Sequence, residues 1–133
     1  MSILVIEDSR FLRTAIERIL AKAGYSVTGV ADGREGLLAA WAGSPELILL
    51  DMMLPGLDGT AVLKALKQDA RTAQIPVIVL TALSQKSEAT FKEAGAVAYI
   101  EKSSLDLTQR ADDLIQIVET ALRSSGPGTL RSR

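Results

Sequence analysis

Five positions of this chain carry side chains that could act together: the adjacent acids Glu7 and Asp8, the acid Asp51, the hydroxyl of Thr81 and the ammonium of Lys102. Each follows a short apolar run. Glu7-Asp8 closes ILVI, Asp51 closes LILL, Thr81 closes VIVL, and Lys102 comes directly after AYIE. If the first two runs are neighbouring strands, three carboxyl groups converge on one crevice. Two ionised carboxylates about 5 Å apart repel by roughly 3 kcal/mol at an effective dielectric near 20. Such a cluster needs a compensating cation or a raised pKa. Mg²⁺, bound through one or two carboxylates plus water and phosphate oxygens, is the simplest answer. Lys102 is expected to add a second positive charge from the opposite side.

Composition narrows the chemistry further. The chain has no His and no Cys. That excludes zinc and copper sites built on nitrogen and sulfur, iron–sulfur clusters, disulfides and a Ser-His-Asp triad. Any metal must be a hard cation held by oxygens: Mg²⁺, Mn²⁺ or Ca²⁺. Lys+Arg total 15 against 16 Asp+Glu, a net charge of −1. That balance gives no general attraction to nucleic acid or to an anionic membrane. With 133 residues, 47% hydrophobic and 23% charged, the chain has the size and balance of one ordinary globular domain. The opening MSILVIEDSR has no basic region and its apolar run stops at Glu7, so it does not read as a signal peptide. Asp51 cuts the longest apolar stretch well short of a membrane span. The expected location is the cytoplasm.

The elements that must position these residues follow from periodicity. Ile3–Ile6 and Leu47–Leu50 are continuous apolar runs, as strands buried on both faces require. Ser26–Val30 is shorter and more polar, suited to a sheet edge. Val77–Leu80 after Pro76 and Ala98–Glu101 complete five predicted strands. Between them, Phe11 to Leu20 recur with helical spacing, with Ser9 as N-cap and Gly24 as stop. Arg34–Ala42 carries Leu37, Leu38 and Trp41 on one stripe. The turn formers Pro55-Gly56 and Asp58-Gly59 precede a helix through Val62, Leu63 and Leu66. Further helices are expected over Gln85–Ala94, ending at Gly95, and from Leu107 to Leu122. Five βα units predict an α/β three-layer sandwich, flavodoxin-like, with a parallel sheet in the order 2-1-3-4-5. The domain is expected over residues 1–123, and 124–133 (SSGPGTLRSR) as a flexible tail or linker stub.

Each singled-out residue also has a plain structural explanation. Asp8 or Thr81 could cap a helix, Asp51 could shape an Asx turn, and Lys102 could form a surface ion pair. Tyr99 could be a half-buried strand aromatic. None of these explains why the polar residues gather at one end of the predicted sheet, the end where open parallel sheets bind ligands.

From Ile3 to about Arg123 the chain resembles a receiver domain of the two-component response-regulator family. The motifs that carry the resemblance are ILVIEDS, LILLDMMLPGLDG around Asp51, VIVLTA ending at Thr81-Ala82, and GAVAYIEKS with Lys102. The resemblance implies that Asp51 accepts a phosphoryl group. Asp8 and Asp51 would be metal ligands, Glu7 one that acts through water, and the backbone carbonyl of Met53 another. The cofactor implied is Mg²⁺, with Mn²⁺ as a substitute. Thr81, Ala82 and Lys102 would bind the phosphoryl group, and Thr81 with Tyr99 would form the switch. The donor implied is a sensor histidine kinase or phosphotransfer protein, whose phosphohistidine supplies what a chain without His lacks. The domain would not be an enzyme beyond catalysing its own phosphotransfer and dephosphorylation in a phosphorelay. Phosphorylation would rearrange the face built by Gln85–Ala94, Ala98–Glu101 and the last helix, for a downstream protein target or a homodimer. No direct contact with nucleic acid or membrane is expected.

One position departs from the family pattern: Ser103 stands where a Pro usually follows the lysine. A cis bond to a non-proline costs roughly 2.5–4 kcal/mol, so a trans bond is expected there. Met53 and Leu83, two residues past Asp51 and Thr81, cannot orient a water by hydrogen bonding, which predicts a phosphoryl group that lasts minutes or more. Three other classes compete. A flavin carrier would need a Gly/Ser/Thr-rich phosphate loop where Glu7-Asp8-Ser9-Arg10 stands. An aspartate-nucleophile phosphatase would want an acid at Met53. A phosphorylation-independent pseudo-receiver usually loses one of the acidic, Thr or Lys positions, and this chain keeps them all.

Overall fold

A computed structural model describes residues 1–54, 59–81, 92, 94–102 and 111–125. The strands are β1 (Ser2–Ile6), β2 (Ser26–Val30), β3 (Leu47–Asp51), β4 (Val77–Thr81) and β5 (Ala98–Glu101). The described helices are α1 (Arg10–Lys22), α2 (Gly33–Gly43), α3 (Gly59–Gln68) and α4 (Ala111–Ser125). All strand pairs are parallel, in the order β2-β1-β3-β4-β5, as the apolar patterning predicts.

The sheet is central because its strands are apolar on both faces. On one face Leu4, Ile6, Ile48 and Leu50 pack against Leu37 of α2 and Leu63 of α3. On the other, Ile3, Val5, Leu47 and Leu49 pack against Ile16 and Leu20 of α1 and Leu114 and Val118 of α4. Every residue of β3 and β4 is buried, whereas β2 alternates exposed and half-buried, which marks the polar strand as the edge.

Local chemistry sets the helix ends. The Ser9 hydroxyl accepts the Leu12 amide at 3.3 Å and starts α1. Gly24, at φ +104°, turns the chain out of it. Asp32 accepts the Glu35 amide at 2.8 Å and starts α2. The stripe expected on α2 needs one correction. Leu38 is 55% exposed, because the buried face runs through Gly33, Gly36, Leu37 and Ala40, about 100° away around the helix. Trp41 lies half-buried, with the Arg71 guanidinium 5.0 Å from its ring.

The helix expected over Gln85–Ala94 lies outside the described residues except for its end. There Gly95 has φ +111° and donates its amide to the Lys92 carbonyl at 3.0 Å, the geometry of a helix-stop glycine. Leu107 also lies outside them. α4 extends two residues past Arg123, to Ser125, and its buried face is Leu114, Val118 and Ala121. Among the described residues no helix is long and apolar enough to cross a membrane.

Candidate functional site

Parallel pairing brings the carboxyl ends of all five strands to one edge of the sheet. The helix after β1 covers one face and the helix after β3 the other, so a crevice opens between these neighbouring strands. The acids sit in it. Glu7, directly after β1, is fully buried, and its amide donates to the Val30 carbonyl at 3.0 Å. Asp8, next along the chain, is exposed. Asp51, the last residue of β3, is fully buried.

The hydrogen bonds are specific. Asp51 Oδ1 accepts the Met53 amide at 3.0 Å, so the Asx-turn geometry is realised alongside whatever else Asp51 does. Asp51 Oδ2 accepts from Lys102 Nζ at 2.9 Å. Glu7 Oε2 accepts the Ser9 amide at 2.9 Å. Lys102 Nζ stands 3.1 Å from Glu7 Oε1, yet that buried oxygen takes no hydrogen bond, and the ammonium's longer bond goes to Oε2 at 3.5 Å. Lys102 enters from the β5 side, opposite the Glu7-Asp8 pair. It reaches over β4 and bridges the two buried carboxylates, so the surface ion-pair explanation fails.

Electrostatics follow from this packing. Burial pushes the Glu7 carboxyl up to about 7; the Asp51 charge and hydrogen bond add to the rise, and the Ser9 amide and Lys102 oppose it. Burial pulls the Lys102 ammonium down, but its bonds and attraction to Asp51 and Glu7 outweigh that, and its pKa is raised overall. Oxygens of Glu7, Asp8 and Asp51 all lie within 4.8 Å of one another. Three carboxylates against one ammonium leave two negative charges when all are ionised. A divalent cation matches that charge, the all-oxygen donors suit Mg²⁺, and the buried Glu7 Oε1 offers a lone pair without a hydrogen bond. The residues present fit the ion.

Thr81 is fully buried at the end of β4, where the preceding Leu80 pairs with Asp51. Tyr99 is half-buried on β5 beside Val79, and alternation along the strands puts it on the same sheet face as Thr81. Met53 is 65% exposed at the mouth. Ala82, Leu83 and Ser103 lie outside the described residues.

Three contributions were not foreseen from sequence. Ser9 reads as a cap, but its amide also holds Glu7. The Arg13 guanidinium donates to the Glu7 carbonyl at 2.8 Å, and nothing in the helical pattern of α1 marks it out. Gly59 reads as a turn residue, but it is the buried first residue of α3, with its amide on the Met52 carbonyl at 3.1 Å. A Cβ there would run into the Asp51 carbonyl oxygen and the Met52 Cα, both backbone atoms that cannot rotate away. Gly59→Ala is therefore expected to destabilise the protein by about 1–3 kcal/mol in urea melts. A change below about 0.5 kcal/mol would show that α3 shifts freely beneath Asp51.

Known proteins share this fold. Residues 3–119 match the family model described as "Response regulator receiver domain". The transcriptional regulatory protein AfsQ1 of Streptomyces coelicolor is 40% identical over 102 residues, covering 76% of this chain and 44% of that protein. The chain thus spans less than half the length of that relative. Among solved structures, the receiver domain of the Francisella response regulator 1452 superposes with a TM-score of 0.83 at 27% identity, covering 94% of this chain and 98% of the other. A signal receiver domain of a signal transduction histidine kinase from Syntrophus aciditrophicus gives 0.82 at 31% identity, covering 95% and 92%.

Proposed function

This chain belongs to the response-regulator receiver-domain family, and from that premise we propose that Asp51 accepts a phosphoryl group from the phosphohistidine of a sensor kinase or phosphotransfer protein. A carboxylate oxygen of Asp51 attacks phosphorus, the P–O bond forms as the N–P bond breaks, and the electron pair leaves on the donor imidazole. The observation that carries the reading is the Lys102 ammonium, 2.9 Å from a buried Asp51 oxygen and 3.1 Å from a buried Glu7 oxygen.

Each residue then has a task. The Met53 amide pins Asp51 Oδ1 and fixes the carboxylate plane. Lys102 exchanges its bond to Asp51 for the incoming phosphoryl oxygens and neutralises charge spreading over them. Thr81 donates its hydroxyl to another of those oxygens, and Ala82 leaves the donor room. Glu7, Asp8, Asp51 and the Met53 backbone carbonyl would hold Mg²⁺, and the ion would supply charge neutralisation on the phosphoryl oxygens. The phosphoryl group brings roughly −1.5 to −2 charges. As Thr81 closes on it, Tyr99 on the same sheet face moves into the space left, and β5 with its flanking helices changes shape for a downstream protein.

Intact-protein mass after incubation with acetyl phosphate and Mg²⁺ tests this directly. One added phosphoryl group is expected, lost in Asp51→Asn and lost in EDTA. An unmodified wild-type mass would favour a pseudo-receiver that signals by contact alone.

A further inference from the structure

Resting on that Mg²⁺ reading, we propose that Arg13 is a positioning residue that aims Asp8 at the cation. Its guanidinium donates at 2.8 Å to the carbonyl of Glu7, the oxygen of the peptide group that joins Glu7 to Asp8. A peptide group is planar, so a bond to its oxygen orients the whole plane, including the Asp8 nitrogen from which the Asp8 Cα projects. A charged donor makes this bond stronger than a neutral one would be.

The rest of the turn is closed around the same point. The Glu7 amide is held by Val30 at 3.0 Å, and the Arg13 amide by the Ser9 carbonyl at 2.8 Å. The Glu7 carboxylate is held by the Ser9 amide at 2.9 Å. Asp8 itself is exposed, and among the described residues no hydrogen bond or ion pair is made by its carboxylate. Its direction is therefore set through the backbone. β2 makes room for the arrangement: a Cβ on Gly29 would strike the Glu17 carboxylate and come within 3.1 Å of Arg13 Cδ. Glycine at that edge position lets Arg13 lie against the sheet and reach the turn.

The sign of the effect separates positioning from simple charge. Arg13 is a cation beside a site for a dication, so by Coulomb's law alone its removal tightens Mg²⁺ binding. Positioning demands the opposite. The test is the melting temperature of the 133-residue chain over a Mg²⁺ series, from which the Mg²⁺ dissociation constant follows by linkage. Arg13→Met is expected to weaken Mg²⁺ about tenfold, and Arg13→Lys about threefold. Arg10→Met, which removes an exposed charge at the start of α1, is expected to leave binding unchanged or tighter. Stability without metal is read from the same series, so a general loss of stability cannot imitate the result. Mg²⁺ binding by Arg13→Met as tight as wild type, or tighter, overturns the proposal. If Arg13→Met does not melt cooperatively, Arg13→Lys decides, and wild-type affinity there overturns it. A wild-type protein whose melting ignores Mg²⁺ removes the metal site itself, and the role of Arg13 with it.

Discussion

Lys102→Met will slow phosphoryl uptake from acetyl phosphate by about 10²–10³-fold, the usual cost of deleting one preorganised group that stabilises developing charge. The residue reaches Asp51 Oδ2 at 2.9 Å from two strands away, over the top of β4. Met keeps much of the stem's length and removes only the charge and its donors. Deleting a positive charge beside the acids also favours a bound dication, so Mg²⁺ affinity should hold or improve while the rate collapses. That split between affinity and rate is the signature of a group acting on the reacting oxygens. Uptake within about threefold of wild type would mean that Lys102 serves only the resting pair of carboxylates. The same variant leaves Glu7 and Asp51 buried without their ammonium, and a lower melting temperature in EDTA should accompany it.

The metal-free protein is expected to lose stability as pH rises from 5 to 8, and Glu7→Gln to abolish most of that loss. Glu7 has an ordinary carboxyl value of 4.5 when unfolded and about 7 when folded. Below 4.5 both states hold the proton and no penalty exists. Between 4.5 and about 7 the unfolded chain releases a proton that the folded protein keeps, so stability falls; above about 7 the loss is complete. The shift amounts to roughly 3 kcal/mol. Asp69 has a lowered value of about 2, from its hydrogen bonds to Arg71, and its contribution to stability is lost only in more acid solution. Among the described carboxyls Glu7 is the one raised into the window from pH 5 to 8, and the Glu7→Gln comparison reads its share. Urea melts in EDTA at several pH values, wild type beside Glu7→Gln, make the measurement. Parallel curves for the two proteins would show that Glu7 is ionised in the folded state throughout, and that Lys102 offsets its burial.

Much of this arrangement was legible before folding. A strand buried on both faces needs side chains that are apolar without alternation, and Ile3–Ile6 and Leu47–Leu50 meet that requirement, whereas Ser26–Val30 does not. The order of the sheet and the crevice between β1 and β3 follow from those patterns and the handedness of βα units. Glu7, Asp51 and Thr81 stand out because each closes an apolar run with a group too costly to bury without a partner, Asp8 because it doubles the first acid, and Lys102 because it follows the last strand. Leu38 misled because apolar spacing gives the period of a helix but not which of two adjacent apolar residues faces the sheet.

Residue order thus specified the strands, their sequence in the sheet and the kinds of group at its carboxyl edge. Packing decided which of those groups touch. The Lys102 bonds cross 51 residues to Asp51 and 95 to Glu7, distances over which no periodicity carries information. Packing also raised the Glu7 carboxyl, since desolvation depends on what surrounds a group and not on its neighbours in the chain. The guanidinium of Arg13 and the missing Cβ of Gly59 matter for the same reason. One fills, and the other leaves empty, a space that exists only when α1 and α3 are docked on the sheet.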